Sequence, residues 1–531
     1  LPRIGVSHGG KPTHSANRER IINTITTLII GTAGLIGLIY ARKLISIAAA
    51  YKAKALCSGV FISGRSPQSV LQEDLEIDDL AYLRFIATDV DYSKKLVTAN
   101  FFGLVKRIAV YNPALGSALV YGDNANALDR PHPNHPPWGN AFELSRHTGR
   151  DCRYPEHREV NVDCPPWPLG SGNPCRNDEQ NLNSTALPME GILKLNASTL
   201  DGGGGFVEEA RLDSLAPVLD WAFAEPDPKH LRRTRAVVVL YQGKIVAERY
   251  APGFDQDMPL PGWSMAKGVV NALVGILVGQ GKLNLNSPAL VPEWQRQGDP
   301  RREITLDQLM RMTSGLEFSE KAGNPFSDVV QMLFTTPDAA AYAANKPLTA
   351  TPGTCWNYAS GTTNLVCRII RHTLGDADYR QFPHQALFEP LGMGSARFES
   401  DASGTFVGSS FLFATARDWA KFGLLYCQDG VWMGERILPE GWVHYSTTPK
   451  TTDRQYGAHF WLDIQQKNRT MDLDKSLPAD AFHAIGYEGQ CVSIVPSRQL
   501  VVVRLGLTRK SSAWRQDQFL SLIVTALAKN D

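Results

Sequence analysis

Ser264 and Lys267 stand three positions apart in Trp263-Ser264-Met265-Ala266-Lys267, and the run that follows, Gly268 to Val278, is apolar nearly all round before it stops at Gly279-Gln280-Gly281. Such a run predicts a buried helix with Ser264 at its N-terminus. Positions i and i+3 share a helix face, so the Lys267 amine reaches the Ser264 hydroxyl. Burial penalises the ammonium, lowers the lysine pKa and makes it a proton acceptor near neutrality. The first helical turn adds exposed N–H groups and a positive dipole end, which favour negative charge growing on the serine or on a substrate oxygen. The letters S-x-x-K alone are weak, because a serine N-cap followed by a lysine that snorkels to solvent spells the same pattern. What distinguishes this copy is that it occurs once and opens a buried helix.

Two further stretches supply partners for that pair. Pro352-Gly353-Thr354-Cys355-Trp356-Asn357-Tyr358-Ala359-Ser360 is a turn-rich lead into the apolar segment Asn364 to Ile370, which places Tyr358 on a loop before a helix. A loop tyrosine is ordinarily a packed ring with a wet hydroxyl, but beside a lysine of lowered pKa its phenol can carry protons to a leaving group. His483-Ala484-Ile485-Gly486-Tyr487-Glu488-Gly489-Gln490 precedes a β-rich run, and its glycines let a substrate approach the strand edge, whose backbone can then donate into an oxyanion hole. A tight turn into the strand is the plain alternative. His459 and His483 raise a Ser-His-Asp arrangement, against which no G-x-S-x-G elbow surrounds Ser264.

The elements that must position these residues are legible in outline. Arg235 to Leu240 and Lys244 to Tyr250 flank Gln242-Gly243 as the two arms of a hairpin, and Cys491 to Val495 with Leu500 to Leu507 make a second around Pro496-Ser497-Arg498. A helical stretch from about Trp514 to Leu527 closes the chain. Strand pairs at both ends with helices between them predict an α+β domain, an antiparallel sheet assembled from distant segments and covered by helices. We place this domain at 206–531, after the flexible joint Gly202 to Gly205.

Ahead of it, 1–20 reads as a tail and 21–41 as an uncharged segment of bilayer-spanning length, flanked by Arg18 and Arg20 on one side and Arg42 and Lys43 on the other. Its apolar core is longer than that of a cleaved signal, so an uncleaved anchor is expected, with a buried helix of a soluble domain as the alternative. The flanking charges nearly balance and fix no orientation. Residues 52–205 form an extension of unread role, rich in Pro, His, Asn and Cys from about 130. Cys152, Cys164 and Cys175 gather there; without C-x-x-C spacing they suit a disulfide or buried thiols better than zinc, which would need His147 or His157 as further ligands. Sequons at Asn183, Asn196 and Asn468 matter only in a secreted eukaryotic protein. With 54 basic against 53 acidic side chains among 531 residues, no charge excess exists to hold a polyanion, so nucleic acid is not expected as a partner. Self-association is left open.

Together the three chemical stretches resemble the serine β-lactamase and penicillin-binding superfamily, within it the esterase and 6-aminohexanoate-dimer hydrolase-like branch. The likeness runs from about Arg235 to Leu527 and includes Leu309-Met310-Arg311-Met312-Thr313-Ser314-Gly315-Leu316, Pro390-Leu391-Gly392-Met393, Thr415-Ala416-Arg417-Asp418 and Tyr456-Gly457. The resemblance implies a five-stranded antiparallel sheet flanked by helices, with a helical subdomain across a cleft. It implies Ser264 as nucleophile, Lys267 as base and Tyr358 as second acid/base group, and no metal or cofactor. It implies an oxyanion hole from the N–H groups of Ser264 and Gln490, with Ser360, Tyr487 and Gly489 at the substrate. Ser360 replaces the family's usual asparagine, and Tyr487 stands where a lysine holds a β-lactam or peptide carboxylate. A small or linear ester or amide, such as an ω-amino acid oligomer, is therefore the expected substrate. A membrane-anchored peptidoglycan peptidase or transpeptidase and a non-catalytic scaffold of the same fold are the alternatives. The catalytic domain is expected on the extracytoplasmic side, periplasmic or extracellular.

Overall fold

The computed structural model describes residues 14–121, 209–450, 455–464 and 477–528. The Pro- and Cys-rich stretch, the Gly202–Gly205 joint and the three sequons lie outside the described residues. The chain divides into two compact units, one made of Leu1–Tyr111, Ser117–Val120 and Lys321–Thr336, the other of Asn112–Gly116, Tyr121–Glu320 and Pro337–Asp531.

In the first unit one helix, α1 (His14–Phe61), contains a segment, Gly31–Phe61, long and apolar enough to cross a membrane by length and composition. Its side chains are exposed from Gly31 to Leu44 and become largely buried from Ile47 onward. The buried half packs on a four-stranded sheet, β1 (Ala87–Asp91), β2 (Leu96–Phe101), β3 (Val105–Asn112) and β4 (Gly116–Leu119), in sequential order. Lys52, buried in α1, donates to Glu76 Oε1 at 2.6 Å and to the carbonyls of Leu83 (2.9 Å) and Ile86 (2.6 Å), so its ammonium is fully met although it is away from water. The helix Asp328–Thr335 belongs to this unit although the chain on either side of it belongs to the other.

The second unit begins with α2 (Glu209–Phe223), followed by β5 (Thr234–Tyr241), β6 (Lys244–Tyr250), α3 (Ala266–Gly279), α4 (Ser360–Leu374), α5 (Ala416–Cys427), β7 (Phe482–Ile485), β8 (Cys491–Val495), β9 (Leu500–Gly506) and α6 (Gln516–Ala528). The strands form the expected five-stranded antiparallel sheet in the order β7-β8-β9-β5-β6. Gln242 and Gly243 both have positive φ (52° and 75°), which suits the primed turns that match strand twist in a two-residue hairpin. Alternation then sorts the side chains: Val237, Val239 and Val502 pack in the cluster formed with α2 and α6, while Val238, Leu240, Val501 and Val503 join the core built with α3, α4 and α5. Both faces are covered, which explains why these strands read as unbroken apolar runs.

Helix α3 carries Ser264's neighbours into that core. A Cβ at Gly275 would stand 2.6 Å from the Trp442 indole, so only glycine lets this ring lie against the helix. Beside it Asn271, fully buried, accepts from Tyr426 (2.6 Å), Trp442 Nε1 (2.8 Å) and Ser446 (3.1 Å) through Oδ1 and donates to the Ala458 carbonyl at 2.9 Å. Removing one partner strands the others in a dry interior. Asn271→Ala is therefore expected to lower unfolding free energy by about 2–4 kcal/mol in urea denaturation; a loss below about 0.5 kcal/mol would mean that water replaces the amide there.

Candidate active site

Ser264 lies in a short 3₁₀ turn, Trp263–Met265, that runs directly into α3, with Trp263 held at a φ of 48°. A bulky residue in the left-handed region is strained, and here it sits next to the candidate nucleophile. The turn is tied down from two sides. Trp263 Nε1 donates to Glu488 Oε2 at 3.2 Å, and the Glu488 carboxylate, itself on a residue with φ of 63°, pairs with Arg509 at 2.8 Å with both side chains buried. Gly486 lies against the Gly262 carbonyl, which a Cβ at 486 would approach to 2.2 Å. The turn bearing Ser264 and the end of β7 thus touch backbone to backbone.

Lys267 is 1 % exposed, and its Nζ lies 3.0 Å from Ser264 Oγ, 3.1 Å from Ser360 Oγ and 2.9 Å from the Ser409 carbonyl. Burial pushes its pKa down to about 8, with the carboxylate of Glu320 pulling the other way. A neutral amine keeps donors for Ser360 and Ser409 while its lone pair faces the Ser264 hydroxyl. Tyr358 presents its ring face to the same ammonium, 4.8 Å from the centroid. Burial, reinforced by Glu320, raises the phenol pKa well above its usual value, and an interaction with Ser264 lowers it in part. Tyr358 is thus a neutral phenol, a proton donor at rest and not a resident phenolate. The structure brings Ser264, Lys267 and Tyr358 together.

Ser360, expected at the substrate, is as buried as Lys267 and bonded to it. Its hydroxyl accepts from Lys267 and donates to Glu320, and its N–H donates to the other Glu320 oxygen at 2.9 Å. Glu320 escaped sequence reasoning: a lone acid in Ser319-Glu320-Lys321 carries no pattern, and only the fold brings it to the first residue of α4.

The strand expected to supply the oxyanion hole ends beside the Ser264 turn. In β7 the N–H and carbonyl of His483 both pair outward with Trp461, and the N–H of Gly486 points inward to the Gln490 carbonyl at 2.8 Å. Alternation along the strand therefore turns the backbone of Ile485 to the outer edge, and Tyr487 opens the 3₁₀ turn that follows β7. Gln490 faces β7 from inside the sheet, with its side chain bonded to both polar groups of Gly506 at 2.6 and 2.9 Å. Gly489 also lies inward, where a Cβ would stand 2.5 Å from the Arg504 guanidinium. Tyr487 remains at the site, half exposed, its ring 5.7 Å from that of Trp263.

Neither histidine completes a triad. Burial drives both His459 and His483 down to about 3, so they are neutral, and their ring nitrogens meet Thr363 (3.1 Å) and Ser493 (2.9 Å). The remaining wall is aromatic: Tyr358 packs within 5.3 Å of Trp461 and 5.8 Å of Tyr456, with Trp356 against all three.

The chain is similar to several known proteins. A 6-aminohexanoate-dimer hydrolase of Paenarthrobacter ureafaciens is 24 % identical over 225 residues, 40 % of this chain and 56 % of that protein. An uncharacterized protein of Mycobacterium tuberculosis is 25 % identical over 254 residues, 38 % of this chain and 62 % of its own length. The chain thus spans less than two thirds of either relative. Among solved structures, a penicillin-binding protein homolog from Caulobacter crescentus superposes with a TM-score of 0.46 at 17 % identity, covering 61 % of this chain and 99 % of that one. The beta-lactamase family model matches residues 208–518, more than half of the sequence and all of the elements that carry Ser264, Lys267 and Tyr358, and the chain belongs to that family.

Proposed function

We propose that the chain is a serine hydrolase that cleaves an ester or amide through an acyl-enzyme on Ser264. The observation that carries this reading is the buried Lys267 amine, shifted to about 8 and 3.0 Å from the Ser264 hydroxyl. Neutral Lys267 takes the Ser264 proton as the serine oxygen attacks the carbonyl carbon. The N–H groups of Ser264, in the turn that leads into α3, and of Tyr487, which follows the inward-paired Gly486, hold the resulting oxyanion. Tyr358 gives its proton to the leaving oxygen or nitrogen as that bond breaks, and recovers one from the Lys267 ammonium. Water then repeats the sequence on the acyl-enzyme and releases the acid.

Beside the Ser264 turn stand Ile485 and Tyr487, neither of them cationic, and the neighbouring wall is aromatic. These surfaces favour an uncharged acyl group of a small or linear ester or amide over a substrate carrying a carboxylate. We place the catalytic domain outside the cytoplasm and α1 in a membrane; Cys355, in the loop before Tyr358, is disulfide-bonded, the state favoured in oxidising compartments.

The test is covalent labelling of the full chain with a fluorophosphonate and, separately, a fluorescent penicillin, followed by mass spectrometry of the adduct. Fluorophosphonate is expected on Ser264 of wild type and absent from Ser264→Ala, with little penicillin label. Penicillin on Ser264 at comparable rate would turn the substrate class toward peptidoglycan, and no adduct on folded protein would leave a scaffold.

A further inference from the structure

Tyr82 and Tyr92 apart, the large apolar side chains that the first unit exposes among the described residues lie at one end of its sheet and helix. Register fixes which end. β1 starts opposite the end of β2 (Ala87 with Asn100), and β2 turns into β3 at Phe101 and Val105. At that tip Phe102 is 78 % and Leu104 70 % exposed, with Phe85 exposed just before β1. The opposite end of the sheet lies by the C-terminus of α1, where Phe61 contacts Tyr111 and Tyr92. Arg107 of β3 donates to Ser46 of α1 at 3.0 Å, so the tip projects toward the exposed apolar half of the helix. Phe326, from the segment that joins this unit out of sequence, meets Tyr40 edge to face at 5.7 Å and lies under the Lys43 ammonium.

Where the exposed half of α1 ends, a recess of about 620 Å³ opens, lined by Arg42, Lys43, Lys106 and Arg107 with Ile39 and Leu104 at its rim. None of the four cations is in an ion pair among the described residues. Unneutralised positive charge below a ring of exposed aromatic and aliphatic groups, at the level where an apolar helix stops, matches the layering of a bilayer: acyl chains, then aromatic belt, then phosphate.

We infer that this end of the unit is a lipid-binding face, in which the β2–β3 tip dips into the acyl boundary and the basic recess holds the phosphate of an anionic phospholipid. The inference rests on the reading of α1 as a membrane anchor. It gives α1 a fixed depth, since Arg107–Ser46 locks the hairpin to the helix that leaves the bilayer.

The experiment uses the full chain reconstituted in phosphatidylcholine vesicles with or without phosphatidylglycerol, the lipids brominated near the top of the acyl chain. Phe102→Trp is compared with Tyr92→Trp at the far end of the sheet, each as the emission added over wild type. The tryptophan at 102 is expected to lose about half of its added emission, more so with phosphatidylglycerol, and the one at 92 to keep it. A Lys43→Glu/Lys106→Glu variant is expected to lose the phosphatidylglycerol increment while retaining Ser264 labelling. If the chain floats with vesicles but position 102 is not quenched, the lipid-facing tip is wrong and the anchor stands. Quenching indifferent to phosphatidylglycerol would overturn the anionic site, and failure of wild type to float would overturn the anchor reading itself.

Discussion

Lys267→Met and Lys267→Arg are both expected to lower turnover of a chromogenic short-chain ester by about 10²- to 10⁴-fold, the range over which a positioned general base acts. Wild-type kcat/KM should rise with pH through a midpoint near 8, where burial has brought the lysine. The sign follows from the active form. Below the midpoint Lys267 is an ammonium, donating to Ser264 and unable to take its proton; above it the lone pair is free. Tyr358 does not blur this limb, because its raised pKa keeps it protonated throughout. Arginine is the informative substitution: it keeps the positive charge and some of the hydrogen bonds but does not deprotonate. Substantial activity in Lys267→Arg, or a flat profile between about pH 6 and 9, would assign Lys267 an electrostatic role in place of proton transfer.

How much of this site was readable beforehand depends on how local each signal is. Ser264 and Lys267 share one turn of α3, so their proximity is a property of helix geometry and was legible at once. The β5–β6 hairpin was legible because Gln242-Gly243 interrupts two β-rich runs at the right length. The oxyanion strand was half legible: the glycines marked a close approach, but the choice between Tyr487 and Gln490 depends on which way each peptide faces. That parity is set by the pairing of His483 with Trp461 and of Gly486 with Gln490, which motif matching does not contain. Ser360 was assigned to the substrate from its place after Tyr358, and its bonds to Lys267 and Glu320 are set by the fold at the start of α4, not by that motif. The segment Lys321–Thr336 was read as part of one continuous domain, since nothing in its composition says that it packs with the N-terminal unit. In α1 the apolar span was plain, but its continuation into a single 48-residue helix was not, because the second half is held by burial of ordinary side chains on a sheet.

The residue that motif reading could not reach gives the second large effect. Glu320 is joined to Lys267 through Ser360: the carboxylate takes both the O–H and the N–H of Ser360, and the Ser360 oxygen takes a bond from Lys267. Its negative charge opposes the desolvation that lowers the lysine pKa and adds to the burial that raises the phenol's. Glu320→Gln removes that charge with little change of shape. Without it the ammonium loses support, so the rising limb of kcat/KM should move to lower pH than in wild type, and the Tyr358 pKa should fall toward its ordinary range. The amide must also donate where the carboxylate accepted, which forces the Ser360 hydroxyl to turn and disturbs the placement of Lys267. A loss of about 10- to 100-fold in kcat at the new optimum is expected from that displacement. The two effects separate a proton-positioning role from a merely structural one. A carboxylate that only anchors the loop before the excursion at Lys321 would cost stability and leave the midpoint where it was; a carboxylate that sets the charge state of Lys267 moves the midpoint even in a variant that melts like wild type.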